Sequence, residues 1–244
     1  MNNIPKVIHY CWFGGNPLPE LAQKCIASWR KFFPDYEIKE WNESNFDVNI
    51  IPYTAQAYAA KKYAFVSDYA RFWVLYREGG IYFDTDVEVI KPMDDIIERG
   101  PFMGNELVKT SGVNPGLGLG MYENHLILKE LLDFYATLSF INLDGTENTH
   151  TIVEYTTNIL YKHGLKNERD IQNVADVWIY PQDYFNPLNA NTGMLKITDN
   201  TRSIHWFAKS WCDRRNPIIE KTIQICHRWF GENSFSKIKK ILKR

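Results

Sequence analysis

Apolar side chains at Phe65, Tyr69, Phe72 and Tyr76 form one stripe along residues 55–78, and the run stops at Gly79-Gly80. A helix ended by glycine and followed at once by Ile81-Tyr82-Phe83 predicts a helix feeding a buried strand, the unit from which α/β sheets are built. Two carboxylates, Asp84 and Asp86, close that run. Side chains two apart on a strand share a face, so the pair is expected to act together at the strand's end. Two aspartates that close stay ionised in a partly dry site only beside a cation. For an isolated Asp-x-Asp the alternative is a solvated acidic turn.

The same alternation starts earlier in the chain. Residues 7–12 read as a buried first strand running into Gly14-Gly15, and residues 20–33 as a helix with Leu21, Cys25, Trp29 and Phe32 on one side, Pro19 in its first turn and Pro34 at its stop. Residues 36–41 are expected to form a second strand, 81–83 a third, and 87–90 its continuation past the carboxylates. The expected fold class is therefore α/β. In open sheets of this kind ligands gather at the carboxyl ends of strands, which is where Trp12 and the Asp84/Asp86 pair would lie. Past Pro92 the pattern predicts a short helix at 94–98, a strand at 102–105, a glycine-rich loop at 112–120, helices at 124–138 and 151–163, and a polar surface loop at 139–150 able to reach an acceptor.

Composition narrows the function classes. A chain of 244 residues with 45% hydrophobic content can bury a substantial core as one domain. Its 28 basic and 29 acidic residues leave a net charge of -1, so no overall positive field exists to hold nucleic acid. Cys11, Cys25, Cys212 and Cys226 have neither zinc-site nor disulfide-scaffold spacing and are expected to be reduced, buried thiols. Residues 1–15 carry an apolar stretch broken by Lys6 and His9 and lack a small-residue cleavage pattern, so no signal peptide is expected; with no run of about twenty apolar residues, the default location is cytoplasmic. An aromatic content of 15%, with 8 Trp, tilts towards a protein that stacks rings on bases or sugars.

Oxygen-only ligands such as Asp84 and Asp86 suit Mg²⁺ or Mn²⁺, which completes its shell with water and substrate phosphates. A nucleotide diphosphate is the natural third party.

Taken together, residues 4–15 (IPKVIHYCWFGG), Ser67-Asp68-Tyr69-Ala70-Arg71, residues 79–86 (GGIYFDTD), and Ile204-His205-Trp206 through Ser210-Trp211 resemble glycosyltransferase family 32, the sugar-binding DXD family. That family includes bacterial capsular and lipopolysaccharide transferases and yeast initiating mannosyltransferases, and is related to the clostridial glucosylating toxins. The resemblance covers the first 125 residues and resumes over 180–211. It implies a GT-A type fold with a Rossmann-like mixed sheet flanked by helices, a nucleotide-sugar donor, a divalent metal and retention of anomeric configuration. UDP is favoured because the toxin-like features around Trp12 and Asp68 belong to UDP users.

By the same resemblance, Trp12 stacks on the donor's base, Asp68 and Arg71 contact ribose and sugar, and Tyr82 hydrogen-bonds the donor. Asp84 contacts ribose or metal-bound water, Asp86 is the direct metal ligand and His205 a third ligand. Ser210 and Trp211 match a segment that closes over the diphosphate, and Asn114 sits where relatives place polar residues near the transferred sugar, with Glu123 and Asn105 as weaker candidates. One departure concerns the acceptor: where many members carry Gly-Pro at the helix after the acceptor loop, Thr151-Ile152-Val153-Glu154 stands here. The implied acceptor is a glycan or lipid-linked oligosaccharide of capsule, lipopolysaccharide or exopolysaccharide synthesis.

Residues 1–233 are thus expected to form a single catalytic domain. In residues 234–244, Phe235, Ile238, Ile241 and Leu242 make an apolar stripe against Lys237, Lys239, Lys240, Lys243 and Arg244, the pattern of a basic amphipathic helix on the anionic inner membrane or of a capping helix with a solvated face. Two rivals fit less well. A sugar nucleotidyltransferase needs a basic glycine-rich loop, and Gly14-Gly15 is followed by Asn16-Pro17-Leu18-Pro19-Glu20. A non-catalytic sugar-binding module has little use for a metal-diphosphate site.

Overall fold

The structure, a computed structural model, describes residues 3–106 and 112–208 together with Ile225. Ser210, Trp211, Cys212, Cys226 and the basic stretch 234–244 lie outside the described residues.

Eleven strands and seven helices follow in the order β1 (Val7–Cys11), α1 (Glu20–Phe32), β2 (Glu37–Trp41), α2 (Pro52–Ala59), α3 (Tyr63–Glu78), β3 (Gly80–Tyr82), β4 (Val87–Val89), α4 (Asp94–Arg99), β5 (Phe102–Asn105), β6 (Val113–Met121), α5 (Leu126–Ala136), α6 (Ile152–Lys162), β7 (Gln172–Val174), β8 (Val177–Tyr180), α7 (Gln182–Phe185), β9 (Leu188–Asn189), β10 (Met194–Leu195) and β11 (Ser203–His205) among the described residues. Seven of the strands form one mixed sheet in the order β2-β1-β3-β6-β5-β8-β7. β1 runs parallel to β2 and β3, β6 is antiparallel to β3 and β5, and β5 is parallel to β8. The carboxyl ends of β1, β3 and β5 therefore open on one edge, as expected of a mixed α/β sheet.

Two cores flank this sheet. On one face α2, α3, α5 and α6 bury Tyr53, Phe65, Phe72, Leu131, Tyr135 and Leu160. On the other, α1 lays Cys25, Ile26 and Trp29 against Ile8, Ile81 and Phe83, and the Trp29 indole N–H donates to the Val87 carbonyl at 2.8 Å. Cys11 and Cys25 are free, buried thiols, as the spacing predicts.

Three expectations are corrected. The stripe over 55–78 is two helices, because Lys61 turns left-handed (φ 58) and the amides of Lys61 and Lys62 bond back to Tyr58 and Ala57, a helix stop written here without glycine. Residues 87–90 do not continue β3: β4 pairs instead with β11 in a separate antiparallel two-stranded sheet. The glycine-rich segment 112–120 is not a loop but β6, a fully buried central strand. Its small residues are required by their neighbours, since a Cβ on Gly120 would enter the Phe102 ring.

Beyond residue 163 the β7–β8 pair, the β9–β10 hairpin and β11 carry no strong periodicity. They are short, of two to four residues, too brief for a pattern to register.

Candidate active site

Asp84 and Asp86 do converge, but on a turn rather than on a strand. The Val87 amide donates to the Asp84 carbonyl at 3.0 Å, closing the turn between β3 and β4. That correction matters chemically, because the turn lets each carboxylate be held by a different part of the chain.

Asp84 is held from α3 and β6. Arg71 Nη2 lies 3.2 Å from its Oδ1, and the Tyr82 hydroxyl donates to the same oxygen at 3.2 Å. Its amide donates to the Gly116 carbonyl at 3.0 Å. Between Met103 and Gly104 the pairing of β5 with β6 jumps from Leu119 to Asn114, so residues 115–118 bulge out of the ladder. Gly116 sits on that bulge against Asp84, and a Cβ there would fall on Asp84 Oδ2.

Asp86 is held from the C-terminal side. Trp206 donates its amide to the Asp86 carbonyl at 3.0 Å, Ala208 donates its amide to Oδ2 at 2.7 Å, and His205 Nε2 stands 3.1 Å from Oδ1. The segment is anchored by β11 pairing with β4 and by the Trp206 indole, which donates to Glu88 Oε2 at 2.9 Å. Although Asp86 is partly desolvated, its carboxyl is held below the usual range, because His205 and the Ala208 amide outweigh desolvation; the His205 imidazole is raised in return.

The carboxylate oxygens of Asp84 and Asp86 and a ring nitrogen of His205 all lie within 4.8 Å of one another. Ligands about 2.1 Å from a six-coordinate ion are roughly 3 to 4 Å apart, so the set needs only a small contraction to hold one. The ring nitrogen that faces the carboxylates is Nε2, 3.1 Å from Asp86 Oδ1, and the other, His205 Nδ1, is buried without a hydrogen-bond partner among the described residues. Two carboxylates and one imidazole fit Mn²⁺ well, Mg²⁺ being the more exclusively oxygen-seeking ion.

Behind the turn, Arg71 Nη2 also meets Asp68 Oδ1 at 2.9 Å, and its guanidinium covers the Tyr82 ring at 4.7 Å. Spaced i, i+3 on a helix, Asp68 and Arg71 could have been a surface pair; both are buried. Burial drives the Asp68 carboxyl up to about 7 against the pull of Arg71. Cys11 lies beside this cluster and burial pushes its thiol up to about 12.

Trp12 stands just past β1, half-buried, its indole N–H donating to the Asn16 carbonyl at 2.6 Å. Asn114 opens the bulge, its Oδ1 accepting from the Gly116 amide at 2.7 Å and its Nδ2 donating to Glu106 Oε2 at 2.9 Å. Asp68, Arg71, Tyr82, Asp84, Asp86, Asn114 and His205 thus meet around one edge of the sheet, with Trp12 at the adjoining strand end. Glu106, Gly116 and the Ala208 amide belong to the site without any motif in the sequence that marks them. Glu106 follows the carboxyl end of β5, and that position was its one legible signal.

Residues 19–103 match the family described as the glycosyltransferase sugar-binding region containing the DXD motif, and the motif falls at residues 84–86. The chain is 29% identical over 114 residues to inositol phosphoceramide mannosyltransferase 1 of Schizosaccharomyces pombe, a match spanning 42% of this chain and 34% of that protein. It thus spans about a third of that relative's length. An uncharacterised glycosyltransferase of Acanthamoeba polyphaga mimivirus is 25% identical over 203 residues, 76% of each chain. Among solved structures, the PaToxG glycosyltransferase superposes with a TM-score of 0.54 at 22% identity, over 66% of this chain and 70% of that one. The fold is of the GT-A type.

Proposed function

We propose that this chain, which carries the DXD-containing sugar-binding region of glycosyltransferases, is a metal-dependent, retaining hexosyltransferase that uses a nucleotide-sugar, UDP-linked, as donor. The observation that carries this reading is the convergence of Asp84, Asp86 and His205 beside the Asp68–Arg71–Asp84 ion-pair chain.

Asp84, Asp86 and His205 would hold Mn²⁺ or Mg²⁺, which when bound supplies positive charge for the leaving diphosphate. Trp12 offers its ring to the base. Asp68, Asp84 and the Ser67 carbonyl brace Arg71 in a fixed orientation, so its Nη1 can present the remaining N–H to a donor oxygen without reorganising. Asn114, tied at both ends of its amide, faces the transferred sugar. Ser210 and Trp211 would close over the diphosphate. The described residues of the site offer no clear nucleophile, so the acceptor hydroxyl attacks the anomeric carbon from the face the phosphate leaves, and the departing phosphate oxygen takes its proton.

The acceptor in this reading is a glycan or lipid-linked oligosaccharide, of capsule, lipopolysaccharide or exopolysaccharide type. The name of the mannosyltransferase relative, whose acceptor is a lipid, supports a lipid-linked class and makes GDP-mannose the second donor to try. No described helix is long and apolar enough to cross a membrane. A cytoplasmic enzyme resting on the inner membrane face through the basic residues 234–244 completes the proposal.

A panel of UDP- and GDP-hexoses incubated with Mn²⁺, with EDTA, and with Asp86→Asn tests it. Metal-dependent nucleotide release from one donor, lost in the variant, is expected. No turnover and no donor binding under any condition would remove the function.

A further inference from the structure

We propose that Glu106 is a specificity-determining residue of the donor site, gripping Asn114 with one carboxylate oxygen and receiving a hydroxyl of the transferred hexose on the other. The inference rests on the glycosyltransferase reading above and adds to it a residue and a contact.

Glu106 leaves the carboxyl end of β5, the edge on which Trp12 and Asp84 also stand. Its main chain is fixed on both sides, the amide donating to the Gly112 carbonyl at 2.8 Å and the carbonyl accepting from Asn186 Nδ2 at 3.5 Å. Oε2 accepts from Asn114 Nδ2 at 2.9 Å, while Oε1 has no hydrogen-bond partner among the described residues. Asn114 Oδ1 in turn accepts from the Gly116 amide, and the Gly116 carbonyl accepts from the Asp84 amide. One hydrogen-bonded chain therefore runs from Glu106 to the first aspartate of the metal pair.

Two consequences follow from the chemistry of the groups. A carboxylate only accepts, so Glu106 fixes Asn114 with its amino group inward to Glu106 and its carbonyl to Gly116. The second oxygen of Glu106 is a half-buried acceptor: burial raises the carboxyl, and the Asn114 hydrogen bond and the His205 charge pull it back towards the ionised form. The donor-rich partner that belongs beside such an oxygen is a sugar hydroxyl, since the nucleotide's own phosphates would be repelled.

The test is titration calorimetry with Mn²⁺ on the wild type, Glu106→Gln and Glu106→Ala, using free UDP, the nucleotide-hexose selected by the panel, and its 2-, 3-, 4- and 6-deoxy analogues. Glu106→Gln keeps an amide oxygen for Asn114, so its effect reports the lost charge rather than a displaced Asn114. Free UDP should bind all three proteins alike. The nucleotide-hexose should bind the variants roughly 10- to 100-fold more weakly, the range of a hydrogen bond to a charged group. One deoxy analogue should bind the wild type and Glu106→Gln equally, which names the hydroxyl. Equal hexose affinity in all three proteins, or a deoxy series that runs parallel in the wild type and Glu106→Gln, would overturn the role of Glu106 alone. If the wild type bound neither UDP, GDP nor any nucleotide-hexose, the transferase reading would fall and this inference with it.

Discussion

Arg71 Nη2 lies 3.2 Å from Asp84 Oδ1, an ion pair that ties α3 to the turn carrying the two aspartates. The same nitrogen meets Asp68 at 2.9 Å, so one buried guanidinium serves two carboxylates. Arg71→Ala would leave Asp68 buried beside Asp84 without a cation. The expected cost is about 3 kcal/mol of unfolding free energy at neutral pH, read from the urea midpoint. Arg71→Lys keeps the charge but not the fork, and should recover part of the stability and little of the turnover. A stability unchanged in Arg71→Ala would mean that the bridge contributes nothing.

Gly116 couples the stability of the bulge to metal binding. A methyl group there is directed onto Asp84 Oδ2, with Asp84 Cγ at 2.8 Å and Arg71 Nη1 at 3.0 Å behind it. Gly116→Ala should lower stability by about 1–3 kcal/mol as the bulge shifts, and should weaken Mn²⁺ binding by moving Asp84. Metal titration of the folded variant checks this, and unaltered Mn²⁺ affinity would show that the bulge does not set Asp84.

His9 gives a pH signature. Its Nε2–H donates to the Gly79 carbonyl at 2.9 Å and its Nδ1 accepts from the Trp41 indole N–H at 3.0 Å, so the ring is held neutral and burial lowers its pKa from 6.5 to about 4. Between those values the unfolded chain binds the extra proton and the folded one does not, so stability falls as pH drops from about 6.5 towards 4. The loss approaches about 3 kcal/mol at most, at 1.36 kcal/mol per pH unit. Asp68, raised by burial, slopes the opposite way. The quantity to measure is therefore the difference between the wild type and His9→Gln in urea midpoints from pH 7 to pH 4, which should narrow as pH falls. A difference constant with pH would contradict the neutral, buried assignment.

Trp12 separates donor binding from chemistry. If its ring carries the base, Trp12→Ala should raise KM for the donor roughly tenfold or more, stacking on a base being worth about 1–3 kcal/mol, while kcat changes little. Trp12→Phe should recover much of the loss. A fall in kcat at constant KM would place Trp12 in the fold rather than against the donor.

Much of this site is legible in the chain because its residues sit at places where periodicity changes. The helix stripe through Tyr69 and Phe72 puts Asp68 and Arg71 on the inner side of α3, and Gly79-Gly80 marks the handover to β3. Gly80 is held to that job by the approach of the Val7 carbonyl and His9 Nε2, both within 3.0 Å of where a Cβ would stand. What stays hidden depends on contacts distant in sequence. Nothing in Gly116-Leu117-Gly118-Leu119-Gly120 announces a buried strand with a bulge, because its glycines answer to Asp84 and Phe102 rather than to a local turn. Lys61 ends α2 in a conformation its residue type seldom adopts. Glu106 acquires meaning only once β5 and β6 are paired, which sets Asn114 opposite Gly104 and within reach of the Glu106 carboxylate. Motif resemblance alone assigns His205 to the site; its burial against Asp86 depends on β11 finding β4 across more than a hundred residues.

The central claim is that Asp84, Asp86 and His205 hold one divalent cation together with a nucleotide diphosphate. Electron paramagnetic resonance of Mn²⁺ titrated into the protein with UDP tests it most directly. One bound Mn²⁺ per chain is expected, tightened by UDP, lost in Asp86→Asn and weakened in His205→Ala. Mn²⁺ that stays free in the wild type with UDP present, or that binds Asp86→Asn as well as the wild type, would contradict the claim.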